Sequence, residues 1–181
     1  MAEDPNEGAI RASPGQLILD AATGARPLAP DELQRVREYV AQAGFQPTPD
    51  VRAKGLAGIR WRGRLLNGND RITAAERHYL EHVVQVQEWP SGTSLQQYLD
   101  SIQAVILHQR SGLLTCQYYG QLQLSILRRA HNLQGPDGHP WVLVEYRVEL
   151  GYWVTAFQPR DGLRVLRGSA RTEARWLQRP R

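Results

Sequence analysis

The chain has 181 residues, a net charge of +4 and 41% hydrophobic residues, with one cysteine. That length buries a core without disulfide staples, and a single cysteine permits neither an internal disulfide nor a cysteine-based metal centre. No apolar run is long enough to cross a bilayer, and the acidic opening MAEDPNEGAIRASPGQ lacks a signal peptide's hydrophobic core. The expected location is therefore the cytoplasm, the chain's own or that of a target cell reached by a route the sequence does not encode. Charge is unevenly placed. Residues 160–181 hold seven arginines against Asp161 and Glu173, net +5, which leaves −1 of the +4 for everything before them. Of the 22 basic residues only Lys54 is a lysine, an excess that suits bidentate phosphate contacts and equally a GC-rich coding sequence.

Residues 1–28 are rich in Ala, Gly, Pro and Asp with no sustained period, and read as a mobile leader. Residues 29–92 read as a helical region. Its first helix has Pro30 in the first turn, Asp31 and Glu32 at the positive end of the dipole, a stripe of Leu33, Val36, Tyr39 and Val40, and Gly44 as its stop. Thr48-Pro49-Asp50 predicts a short second helix ending near Gly55 or Gly58, and Asn67-Gly68-Asn69-Asp70 a turn. Thr73 with Glu76 forms a capping box before Tyr79, Leu80, Val83 and Val84, and Trp89-Pro90-Ser91-Gly92 breaks that helix.

Residues 93–168 predict a helix followed by a sheet. Thr93 with Gln96 reads as a second capping box, and Leu95, Tyr98, Leu99, Ile102, Val105 and Ile106 form an apolar stripe. Two alternating stretches follow, each punctuated by glycine at the third place of a three-residue loop: Tyr118-Tyr119-Gly120 and Glu149-Leu150-Gly151. In that register Leu114, Cys116, Leu122, Leu124 and Ile126 are buried, while Thr115, Gln117, Gln121, Gln123 and Ser125 are open. A two-residue first loop is disfavoured because it mixes leucines with glutamines. The second hairpin places Val142, Val144, Tyr146, Val148, Tyr152, Val154 and Ala156 in the core, with Glu145, Arg147, Trp153, Thr155 and Phe157 on the open face and Glu145 opposite Thr155. Leu163 to Leu166 reads as a short edge strand, and residues 169–181 as a basic tail, helical or loose. The class is α+β: N-terminal helices, then a four-stranded antiparallel meander with helices on one face.

Two constellations carry chemistry. His78-Tyr79-Leu80-Glu81-His82 matches the H-x-x-E-H pattern of inverzincin proteases. The pattern needs a third ligand and a larger scaffold, so two solvated histidines on a capped helix are expected, and neither a metal nor any other cofactor. The second is the open sheet face. Arg129 ends the second strand and Arg147 sits in the third. Two guanidiniums and the Thr155 hydroxyl suit a phosphodiester and the charge that develops on its oxygens. His131, or less favourably His139, would take or give a proton at neutral pH, and Trp153 and Phe157 would stack bases, with Glu145 beside them. A plain solvated face with a cross-strand ion pair explains Glu145, Arg147 and Thr155 as well, but not two large exposed aromatics.

Helices before a four-stranded meander whose last strand reads Trp153-Val154-Thr155-Ala156-Phe157 resemble the barnase/EndoU/colicin/RelE superfamily of small ribonucleases and toxins. Many members end that strand in Thr-Ala-Tyr or Thr-Ala-Phe. The resemblance spans about Ser94 to Pro159. It implies metal-independent RNA cleavage, often of transfer RNA, to a 2′,3′-cyclic phosphate, and an acidic immunity protein or antitoxin as partner. By that resemblance Thr155 carries over directly, and Arg129, His131 and Arg147 by strand position. Phe157 stands where many members have tyrosine, which removes a hydroxyl and leaves open a non-catalytic module that binds protein or nucleic acid on the same face.

Overall fold

The computed structural model describes residues 11–181, and these begin with a helix where a leader was expected. Ser13 Oγ accepts a hydrogen bond from the Gln16 amide at 3.2 Å, Pro14 occupies the first turn, and Gly24 closes the helix in the left-handed region at φ 73°. This is α1 (Pro14–Thr23), with Leu17, Ile18 and Ala21 buried. Residues 1–10 of the expected leader lie outside the described residues. The next helix, α2 (Pro30–Ala43), has the predicted start and stop, and buries Val36 and Val40. It also buries Arg37, which donates to the Ser111 carbonyl at 3.1 Å and whose pKa burial lowers to about 10.

The helix expected after Thr48 does not form. Four two-residue strands occupy this region: β1 (Val51–Arg52) pairs with β4 (Arg71–Ile72), and β2 (Arg60–Trp61) with β3 (Arg64–Leu65). Arg62 and Gly63 have φ of 49° and 82°, the conformation of a two-residue hairpin turn. Four glycines leave too few apolar positions for a helical stripe, so Ala53, Leu56, Leu66 and Ile72 make a small separate core with Leu80. The Thr73–Glu76 capping box is present and opens α3 (Ala74–Tyr79), which widens into a π-helix, Leu80–Gln85. The cap of α4 (Leu95–Leu107) is one residue later than expected. Ser94 and Gln97 form the box, while the Thr93 hydroxyl donates to the Pro90 carbonyl at 2.6 Å.

The sheet has five antiparallel strands, not four. They are β5 (Gly112–Tyr118), β6 (Gln121–Arg129), β7 (Trp141–Arg147), β8 (Tyr152–Phe157) and β9 (Arg171–Gln178), in spatial order β8-β7-β6-β5-β9. The stretch expected as a basic tail is thus a strand paired with β5, and the edge strand expected at Leu163 is a 3-10 helix, Gly162–Arg167. Buried side chains of α1, α2 and α4 form one core with Leu113, Leu122, Leu124, Ile126, Val142, Val144, Tyr146, Trp153 and Ala156 from one sheet face.

Both hairpins depart from the expected loops. In the first, Tyr118 pairs with Gln121 across a two-residue turn in which Tyr119 and Gly120 have φ of 48° and 74°. This is the turn that alternation disfavoured. It keeps the expected facing of β6 but inverts β5, so Leu114 and Cys116 lie with Gln123 and Ser125, and Thr115 joins the helical side. The inversion is tolerated because both faces of β5 are covered. Leu114 packs with Leu127, Leu143 and Leu166 in a second apolar cluster beneath the 3-10 helix. Gly162 permits that close approach, since a Cβ there would lie 2.8 Å from the Trp141 ring.

In the second hairpin Arg147 pairs with Tyr152, a four-residue loop, yet Glu145 still pairs with Thr155. A β-bulge at Val154 absorbs the extra residue. The bulge turns Trp153 inward and Tyr152 outward, the reverse of the expected facing. Trp153 is 4% exposed, packs edge-on against Phe45 at 5.5 Å, and donates from Nε1 to the Val40 carbonyl at 2.7 Å. The free edge of β8 is covered by the same region. The Trp153 amide donates to the Gly44 carbonyl at 2.8 Å, and the Gln158 amide to Glu88 Oε2 at 2.9 Å. Trp153 is therefore a core residue, and Trp153→Ala is expected to destabilise the fold by about 3–5 kcal/mol in urea unfolding; a change below about 1 kcal/mol would contradict its placement.

Candidate functional site

Glu145 sits mid-strand on the sheet face away from the helices, 2% exposed. Three side chains occupy its oxygens. Gln123 Nε2 donates to Oε2 at 2.5 Å, Ser125 Oγ to Oε2 at 2.6 Å, and Arg171 Nη2 to Oε1 at 2.5 Å. Gln123 and Ser125 reach it because β6 pairs Ser125 with Glu145 and Gln123 with Arg147. Arg171 reaches it across β5, and its other nitrogen contacts Ser125 Oγ at 3.2 Å and Cys116 Sγ at 3.6 Å. Burial pushes the Cys116 thiol pKa up. The open face expected of this sheet is thus roofed in part by residues 160–171.

A cleft of about 510 Å³ remains between that roof and strands β7 and β8, lined by Glu145, Arg147, Thr155, Phe157, Tyr118 and Arg171 among others. Arg147 is half-buried, and its Nε is buried with no hydrogen-bond partner, as is Gln123 Oε1. An unpartnered buried donor costs about 1–3 kcal/mol unless a ligand satisfies it. The Arg171 guanidinium lies over the Tyr118 ring at 5.1 Å, and Tyr119, 79% exposed, meets Tyr118 edge-on at 4.7 Å.

The expected site residues divide into three groups. Arg147, Thr155 and Glu145 share the cleft, but Glu145 forms its buried floor. Arg129 and His131 are exposed and lie elsewhere. Arg129 pairs with Trp141, six positions along β6 from the Gln123–Arg147 pair, or about 20 Å at the strand rise. His139 lines another cavity, of about 810 Å³, with its amide donating to Gln158 Oε1 at 2.9 Å. The expected constellation of Arg129, His131, Arg147 and Thr155 therefore does not converge. Trp153 cannot stack a base because it is in the core, and Phe157 is half-buried against the second apolar cluster. Sequence reasoning missed Arg171 and Tyr118. Nothing local marks Arg171, 26 residues from Glu145.

The two histidines of the H-x-x-E-H pattern are not solvated. His78 stacks on Phe45 at 5.1 Å, His82 on Phe157 at 5.8 Å, and the two imidazoles lie parallel, 5° apart, at 5.8 Å. Burial, then the neighbouring His82, lowers the His78 pKa to about 4, against a raising contribution from the Val154 backbone. With Glu81 they form the one group of three metal-capable side chains among the described residues.

Basic charge is concentrated in two places. Residues 160–181 carry six exposed arginines besides Arg171. Residues 51–72 hold Arg52, Lys54, Arg60, Arg62, Arg64 and Arg71, all exposed, against Asp70 alone, so six minus one gives +5 there too. No helix among the described residues is long and apolar enough to cross a membrane. Since Glu145 is buried with Arg171 as its cation, Arg171→Ala is expected to cost about 3–5 kcal/mol in chemical denaturation; a loss under about 1 kcal/mol would mean the pair is solvated. No protein-family model, curated protein or solved structure matches the chain.

Proposed function

We propose that the chain binds single-stranded RNA, with a backbone phosphate in the cleft against Arg147 and Thr155 and the flanking strand running along the arginines of residues 160–181. The observation that carries this reading is the unpartnered Nε of Arg147, in a cleft whose wall is the most arginine-rich part of the chain. A guanidinium with a free donor suits an anionic oxygen, and a phosphate offers several. The Tyr119 ring at the cleft's hairpin end has a free face for a base. A volume near 510 Å³ takes a nucleotide, not a duplex. The exposed arginines add a sequence-independent attraction that salt screens.

Cleavage of the bound strand is the second reading, favoured by Arg147, Arg171 and Thr155 meeting on one cleft. Such chemistry also needs a proton acceptor. Glu145 is in place, but both its oxygens already accept hydrogen bonds.

The two readings separate in one experiment. Purified protein is mixed with a fluorescent single-stranded RNA in EDTA across a salt series, and binding and chain length are both read. The binding reading expects intact RNA, log Kd rising with log salt at a slope of about 2 or more, and Arg147→Gln weakening affinity about tenfold to a hundredfold. Cut RNA whose production stops in Thr155→Ala favours the nuclease. Affinity unchanged by Arg147→Gln contradicts both.

A further inference from the structure

We propose that His78, Glu81 and His82 form a binding site for a divalent transition-metal ion, zinc being the best fit to their donors. Spacings of three and four residues put all three side chains on one side of the helix, and their ligand atoms lie within 4.8 Å of one another. Tetrahedral zinc wants such atoms about 3.3 Å apart, as follows from bonds of about 2.0–2.1 Å. Glu81 can close the difference. Its side chain is 36% exposed, and its competing contact with Arg77 is long, at 3.4 Å.

Three further observations bear on a ligand. First, Nδ1 of His78 and Nδ1 of His82 are both buried without a hydrogen-bond partner. Two adjacent imidazoles with the same unmet need are expensive in a folded chain, and a shared cation would help to meet it. Second, the rings are flanked by Phe45 and Phe157, which limits the side-chain freedom to be lost on binding, and because they lie parallel one of them has to turn to aim both nitrogens at a single ion. Third, the helix changes to π winding at Leu80, between the two histidines, and such widened turns recur at functional sites. Glu88 Oε2 lies 3.2 Å from His82 Nδ1, out of line for a hydrogen bond, and places a second carboxylate beside the group. Two nitrogens and one oxygen select zinc, cobalt or nickel over calcium or magnesium, which prefer all-oxygen shells. Three protein ligands leave a fourth position for water or a ligand atom.

The test uses the full chain, stripped with EDTA and moved to metal-free buffer. Zinc is titrated calorimetrically, and cobalt is followed by visible absorption. One equivalent should bind with micromolar affinity or better, cobalt should give the intense bands of a tetrahedral site, and the melting temperature should rise with metal. Glu81→Gln, which leaves the packed rings in place, should weaken binding at least about tenfold. His78→Gln and His82→Gln, checked for retained fold by circular dichroism, should abolish it, while His131→Gln should leave it intact. Absence of binding at millimolar metal, or stoichiometric binding that survives in Glu81→Gln and His82→Gln alike, would overturn the proposal.

Discussion

A carboxylate in the middle of a sheet has to be neutralised and hydrogen-bonded or it is not tolerated, and much of this architecture follows from how Glu145 meets that condition. Its three partners come from two strands: Gln123 and Ser125 on β6, and Arg171 on β9. Because β9 follows the 3-10 helix Gly162–Arg167, anchoring Arg171 also brings that helix over Leu127 and Leu143. One ion pair thus recruits the arginine-rich segment as a strand, seals the lower half of the outer face, and leaves the upper half as a cleft holding Arg147 and Thr155.

The free edge of the sheet is governed by a different constraint. β8 would offer unpaired amides to another chain, and Gly44, Phe45 and Glu88 cover them instead. The bulge at Val154 lets Trp153 serve both purposes, with its amide on Gly44 and its indole on Val40. It also brings the Val154 backbone beside His78, and since His82 stacks on Phe157, the histidine pair touches two residues that line the cleft.

What was legible in the sequence was what alternation and capping encode locally. The helices α2 and α4, the Thr73–Glu76 box, the facing of β6 and the Glu145–Thr155 pairing are local patterns, and they stand. Two features failed for one reason: the expected facing of Leu114 and the expected tail at 169–181 both rest on one sheet face being open, whereas a segment at the end of the chain covers part of it. Trp153 differs for another reason, the bulge at Val154. A strand buried on both sides carries no alternation to read, which is why the turn at Tyr119-Gly120 was misjudged. The bulge has no composition signature either. The cleft was half legible: Arg147 and Thr155 stood out by chemistry, but Arg171 is joined to them only by folding. His78 and His82 were visible as a pattern, and their stacking between two phenylalanines was not.

The most direct test is a double-mutant cycle on Glu145→Gln and Arg171→Met, with unfolding free energies measured in urea. If this buried pair fastens β9 to the sheet, each single change leaves a partner stranded, and the double change costs little more than either alone. The coupling energy should then be about 2 kcal/mol or more. Additive losses, agreeing within about 0.5 kcal/mol, would mean that Glu145 and Arg171 act independently and that something else holds the arginine strand in place.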